Sequence, residues 1–401
     1  MQPESIAVST PAGSALWDCP FRPFFLAAAS YAVLSLAGWL GVLLLGWPLA
    51  GDYAPMQWHS HEMLFGMVAA AIAGFLLTAM CNWTGATPLS GSGLQMLFGL
   101  WLAGRIGMWL SNWLPLELVA VIDLSFLAAV AVYAGRVIIG SGSYRNLPLV
   151  AVVSVLWLTN LLCHAGVWSG DTGLVRRAEL GTLLLIVMLI VIIGGRIIPA
   201  FTRNWLLRRQ EDPQPVKTRA WVEVSSVTSV ALLALLLLAG APSLVTASMA
   251  ALAGLANVVR LLGWRGWRAR RDPLVWILHI GYAWVPLGLL LMAMSYGSLD
   301  VTATAWQHAL GPGAMAVMIL GVMTRVALGH TGRSLALPRG AVVSYALILV
   351  AAFVRLATAL DWMPWKLGIL TTTLAWTGAF LVFLWVCLPI LVRPRVDGRP
   401  G

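Results

Sequence analysis

Long apolar runs separated by short polar breaks set the pattern of this chain. Each run is about 20 residues, the length an α-helix needs to cross the hydrocarbon core of a bilayer. Counting them predicts an all-α, polytopic membrane helix bundle of about twelve transmembrane helices. The first covers 24–47, and the second opens at Trp58 and runs on to Met80. The third, 93–112, is set off by Asn112-Trp113-Leu114-Pro115 from a fourth that ends near 140; the fifth covers 147–168 and the sixth 174–199. After 202–219, the longest polar connection, come 220–239 and 242–262, which meet at a Gly-Ala-Pro turn. The last four are 273–294, 302–329, 338–360 and 364–392. The expected organisation is one membrane domain over 1–401, with 1–20 as a short N-terminal tail and 202–219 as the longest cytoplasmic loop.

Composition agrees with the pattern. The chain is 60% hydrophobic and only 10% charged, with a mean hydropathy of +0.86, which excludes an ordinary soluble globular protein. Many of the 21 tryptophans fall near the ends of apolar runs, where an amphipathic ring suits the membrane interface. A net charge of +10 could point to nucleic acid, but the basic residues lie in short loops and read as topology signals. The expected partner is a lipid bilayer, with no nucleic acid. Arg203, Arg208, Arg209, Lys217 and Arg219, then Arg265, Arg268, Arg270 and Arg271, then Arg333 and Arg339, and finally Arg393, Arg395 and Arg399 all fall on one side of a twelve-helix count. Positive loops are cytoplasmic, which places both termini inside. Arg176 and Arg177 fit that rule least well, offset by Asp171 and Glu179. Cys19, Cys81, Cys163 and Cys387 are scattered, and predict neither a disulfide framework nor a zinc site. Without a basic n-region or a small-residue cleavage site, the first run is expected to stay as a span.

Chemistry enters at Trp58-His59-Ser60-His61-Glu62-Met63-Leu64-Phe65-Gly66, where two histidines and a carboxylate open a bilayer-length run. Ionisable residues at membrane depth are costly and mark functional sites. Successive helical residues turn by about 100°, so His59 and His61 point to nearly opposite faces and suit two centres on either side of one helix. An extended entry at His59 would instead let both reach one metal. With the topology above, His59, His61, His164 and His308 lie at the outer side, and His279 and His330 at the inner side. His308 and His330 are separated by about 33 Å of continuous helix and cannot share a centre. Each histidine has a packing or interfacial alternative, but imidazole is also the common intramembrane ligand of iron and copper. Arg105 and Arg355 fall in the outer half, placed to neutralise Glu62 or Asp123 or to bind haem propionates. Met56 and Met63 flank the His-x-His, and Met315 and Met318 follow His308; thioethers favour Cu(I), though methionine mostly fills cores. Glu223 and Arg325, toward the inner side, either line a proton path or pair structurally.

At these residues the chain resembles the NnrS family of bacterial membrane proteins. The resemblance is carried by Phe21-Arg22-Pro23-Phe24-Phe25, the His-x-His stretch, Asn82-Trp83-Thr84-Gly85 and 195–204. It continues through 278–284, His308-Ala309-Leu310, Met323-Thr324-Arg325 and Gly329-His330-Thr331-Gly332-Arg333, nearly the whole chain. It implies a multi-spanning protein of the bacterial inner (cytoplasmic) membrane that contains haem, of b type, and copper. It also implies a role in the response to nitric oxide and nitrosative stress, alongside denitrification enzymes. The family name supplies no reaction: an oxidoreductase of nitric oxide reductase type, a binding or sensing protein and a proton-coupled transporter using intramembrane His and Glu all stay open, as does the electron donor. The layout is similar to haem–copper oxidases, where a helix-borne His-x-His serves two haems, but this chain has no His-His pair, so that is an analogy. On the first reading His59, His61, His164 and His308 hold cofactors at the outer side, with Arg105 and Arg355 beside them. His279 and His330 then form an inner metal site or support the structure.

Overall fold

A computed structural model describes residues 15–49 and 51–399. Among them stand twelve long helices and no strand. They are α1 Phe21–Leu45, α2 Pro55–Thr84, α3 Gly91–Trp109, α4 Leu116–Gly140, α5 Leu147–Ser169 and α6 Thr172–Arg208. The second half holds α7 Ala220–Leu238, α8 Ser243–Gly263, α9 Pro273–Tyr296, α10 Ala303–Gly329, α11 Ala341–Ala359 and α12 Trp365–Val392. Eleven of them are long and apolar enough to cross a membrane. The other is α3, whose 19 residues span about 28 Å but include Gln95, Arg105 and several glycines that lower its hydropathy. The chain is a polytopic helical bundle, as the apolar runs predict.

Helix starts and stops follow local chemistry. Asp171 and Asp272 cap α6 and α9 by accepting from Leu174 N–H at 2.9 Å and Leu274 N–H at 3.0 Å. Gly46, Gly85 and Gly170 end α1, α2 and α5 in the left-handed conformation that glycine adopts without strain. Helix α6 differs from expectation. It carries through Pro199 to Arg208, so the first seven residues of the stretch read as the 202–219 loop are helical. Of the expected tail, 1–14 lie outside the described residues, and Ala15–Trp17 form a short 3-10 turn before α1.

Consecutive helices pack side by side, and α12 returns to lie against α1. Arg22 at the start of α1 donates to the carbonyls of Leu391 (2.7 Å) and Arg393 (2.8 Å), so the first and last helices meet at the same end of the bundle. Helices α2, α9 and α10 are the most enclosed spans. Two of these carry π-helical segments, Glu62–Val68 in α2 and Ala309–Ala316 in α10, each starting directly after a histidine. An i→i+5 turn adds a residue per turn and rotates the C-terminal part of the helix against the N-terminal part, which re-aims side chains. In α10 it also makes room for Pro312, which lacks an N–H and crowds the carbonyl four residues back.

Candidate functional site

His61 faces α4 and α5. Its Nδ1 lies 3.0 Å from Glu62 Oε1, and its Nε2 lies 3.0 Å from Asn160 Oδ1 and 3.3 Å from Asp123 Oδ2. His164, one turn beyond Asn160 on α5, brings its Nε2 to 3.0 Å from the same Asp123 oxygen and its Nδ1 to 2.5 Å from the Tyr53 hydroxyl. Asn160 donates its amide to Asp123 Oδ2 at 2.7 Å. Arg105 on α3 reaches across and pairs with both Glu62 and Asp123, one guanidinium nitrogen to each. His61, Glu62, Arg105, Asp123, Asn160 and His164 are all buried.

Counted as ionised, two carboxylates face one guanidinium in this group, leaving one negative charge. The local shortage is at His61, where three acceptor oxygens surround an imidazole that has a single N–H when neutral. A positive charge at that position satisfies them, either a second proton or a metal cation. His61, Asp123 and His164 each offer a ligand atom, all within 4.8 Å of one another, and the chain has no other such group among its described residues. The far nitrogen of each imidazole contacts an oxygen, Glu62 for His61 and Tyr53 for His164. Partners of that kind fix the tautomer and ring orientation of histidines that ligate metals. Tyr53 lies outside the spans; burial, followed by the charge of Asp123, pushes its phenol above the ordinary value, so it stays protonated. Gly66 makes the close approach possible, since a Cβ there would meet Tyr31 at 2.5 Å and the Arg105 guanidinium at 3.0 Å.

His59 turns the other way, as the helical spacing predicts. It stacks on Trp39 of α1, ring centroids 4.6 Å apart and planes at 23°. On this face it interacts electrostatically with His308 of α10 and Arg355 of α11. His308 Nδ1 donates to the Thr304 carbonyl at 2.7 Å, which leaves its Nε2 as the free ligand atom. His59 Nδ1 is buried and has no hydrogen-bond partner, and Arg355 forms no ion pair with any described carboxylate. His59, His308 and Arg355 nonetheless retain accessible surface, and a side chain at Gly311, one turn beyond His308, would meet open space. The two faces of α2 therefore carry opposite signs: a carboxylate-rich group around His61, and two imidazoles with an unpaired cation around His59.

His279 and His330 are not brought together. His279 Nε2 donates to the Thr202 hydroxyl at 2.9 Å, and its Nδ1 is an unpartnered buried atom packed toward Gly266. The His330 ring lies 5.7 Å from that of Phe21, and its carbonyl accepts from Arg395 at 2.8 Å. Glu223 pairs with Arg260 of α8, while Arg325 stacks over the Phe201 ring at 3.8 Å. Met56 is exposed, and Met315 and Met318 are core residues.

Sequence reasoning left out several residues that the fold gathers here. Asn160 stands four residues before His164, a spacing that places them on one helix face, and that polar pair in an apolar run was a usable signal. Tyr53 precedes α2 in a loop and had none. The sequence marks Asp123 as a charge to be neutralised or a proton-coupling group, and not as a metal ligand. Arg260 donates to Val191 O (2.7 Å) and to Tyr282 Oη (2.9 Å), and Tyr282 donates to Asn257 at 2.5 Å, a network that no motif announced.

A family model described as NnrS protein matches residues 15–395. Comparison with curated proteins finds no match.

Proposed function

Because the chain belongs to the NnrS family, we propose that it is a haem- and copper-containing protein of the bacterial cytoplasmic membrane that binds or reduces nitric oxide at its outer-side histidines. The observation that carries this reading is the convergence of His61 Nε2 and His164 Nε2 on one oxygen of Asp123, with each ring's other nitrogen held by an oxygen.

That donor set, two imidazoles and a carboxylate, suits a borderline first-row cation such as Cu(II). The net negative charge of the group favours a cation there. On the opposite face, His59 and His308 would hold haem iron, and Arg355, lacking a carboxylate partner, would meet a propionate through charge-assisted bonds. Bound there, iron and copper would supply a nitric oxide-binding position and one-electron redox chemistry. The chain's own contribution is to orient these ligands and to exclude water. Arg105 holds Glu62 and Asp123 in place, and Glu62 in turn holds His61. Trp39 fixes the plane of the His59 ring.

Proton-coupled transport, the alternative from the sequence, is not favoured. Its candidate carboxylates Glu62, Asp123 and Glu223 are each tied to an arginine, which opposes the cycle of protonation that coupling requires.

The test is an absorption spectrum of detergent-purified protein, oxidised and dithionite-reduced, with and without nitric oxide, beside iron and copper analysis. A Soret band that shifts with nitric oxide, together with bound copper, is expected. Colourless, metal-free protein after expression with haem and copper supplied would overturn the reading.

A further inference from the structure

The inner end of the α7–α8 hairpin opens a cleft of about 380 Å³ that plays no part in the outer sites. Lys217, Arg219, Arg260 and Arg265 line it against a single carboxylate, Glu223. Glu223 is fully used by Arg260, which it holds through both carboxylate oxygens. Of the acidic residues nearby, Glu211 pairs with Arg209 and Arg268, Asp272 with Arg208, and Asp212 accepts from Gln214 N–H at 2.9 Å. Lys217, Arg219 and Arg265 have no carboxylate partner within 4.0 Å among the described residues, although Arg265 lies over the Trp267 ring at 5.3 Å. The cleft is therefore a fixed concentration of positive charge. Its wall is also tied in place, because Lys217 N–H donates to the Gly263 carbonyl at 3.0 Å and joins the α6–α7 connection to the end of α8.

The surface beside the cleft selects the ligand. Val259 and Leu262 on α8 are 48% and 57% exposed, and Trp221 and Val224 on α7 are 63% and 62% exposed. In a membrane these side chains face acyl chains. A cationic mouth that opens at the inner interface onto an apolar wall matches a molecule with an anionic head and a hydrocarbon body. We propose that this cleft binds the headgroup of an anionic phospholipid of the inner leaflet. The phosphate sits among Lys217, Arg219 and Arg265, and the acyl chains lie along the α7–α8 surface.

The experiment is native mass spectrometry of the full chain released from nanodiscs containing equal phosphatidylglycerol and phosphatidylcholine. It compares the natural protein with Lys217→Gln/Arg219→Gln/Arg265→Gln, and with Arg393→Gln/Arg399→Gln as a charge control on the same side. The natural protein should retain phosphatidylglycerol over phosphatidylcholine by about tenfold, and the triple variant should fall to near parity. The control should keep the preference. Single Lys217→Gln and Arg265→Gln variants should each show a partial loss, which keeps the test open if the triple variant does not fold. An unchanged preference in the cleft variants overturns the proposal. Displacement of the retained lipid by excess inorganic phosphate also overturns it, since the cleft would then serve a soluble oxyanion.

Discussion

The imidazoles of His61 and His164, carried by different helices, meet edge to face with ring centroids 5.3 Å apart, and both turn Nε2 to the same oxygen of Asp123. This relationship divides α2 into two chemical faces. His61 belongs to a carboxylate-rich group, and His59, two residues earlier, belongs to a cationic one with His308 and Arg355.

Arg105 holds the first group together. Removing it as Arg105→Met leaves Glu62 and Asp123 as adjacent buried carboxylates without the guanidinium that pairs with both. Breaking a buried pair in this way typically costs about 3–5 kcal/mol. Thermal unfolding in detergent should show a large fall in stability, whereas Arg339→Met on the inner side should change little. Equal melting of the two variants would refute the pairing of Arg105 with both carboxylates.

Gly66 is a second point of control. A methyl at this position meets Tyr31 and the Arg105 guanidinium. Overpacking of a close interface costs about 1–3 kcal/mol, and Arg105 must shift. Gly66→Ala should lower both stability and metal content, while Gly107→Ala on α3, where a Cβ meets nothing, should leave both unchanged. Metal content is read by elemental analysis of the purified variants.

Cys19 reports on the end of the bundle where α1 begins. It precedes α1, is buried, and lies 3.7 Å from the Thr78 hydroxyl, which also accepts from Phe21 N–H. Burial pushes its thiol up to about 11. The reactive thiolate is thus scarce below that pH and grows as pH rises toward it. In a variant that keeps Cys19 as its sole cysteine, maleimide labelling should be negligible at neutral pH and accelerate only in strongly alkaline buffer. Rapid labelling at pH 7 would contradict the packing of α1 against α2.

The two faces of α2 should separate in a spectrum. His59→Ala and His308→Ala are expected to lose most haem absorbance and keep the second metal. Arg355→Gln should retain haem with a perturbed band position, because it would remove the proposed propionate partner and no proposed iron ligand. A His59→Ala protein with an unchanged Soret band would break the assignment of haem to this face.

Much of this was legible in the chain. Apolar run length gives all twelve helices, because crossing a bilayer imposes a length that little else in a sequence mimics. The opposite orientation of His59 and His61 follows from helical rotation alone. Pairing of Arg105 with Glu62 or Asp123 was one of two alternatives, and the fold shows both carboxylates taken at once. The extension of α6 past Pro199 was hidden because proline reads as a stop, while neighbouring helices hold this one in register. The π-helical segments after His61 and His308 were also hidden, since one extra residue in a turn leaves no mark in an all-apolar pattern. Asn160 and Tyr53 join the site through tertiary packing of α5 and the α1–α2 connection, which no local spacing encodes.

The most direct measurement is metal per chain, by elemental analysis, for the natural protein and for His61→Ala, His164→Ala, Asp123→Asn and His59→Ala. About one non-haem metal ion per natural chain is expected, with a fall of roughly tenfold or more in affinity when His61, His164 or Asp123 is changed, and retention in His59→Ala. Full metal content in the His61 and His164 variants would contradict the assignment of this buried His–Asp–His group as a metal site.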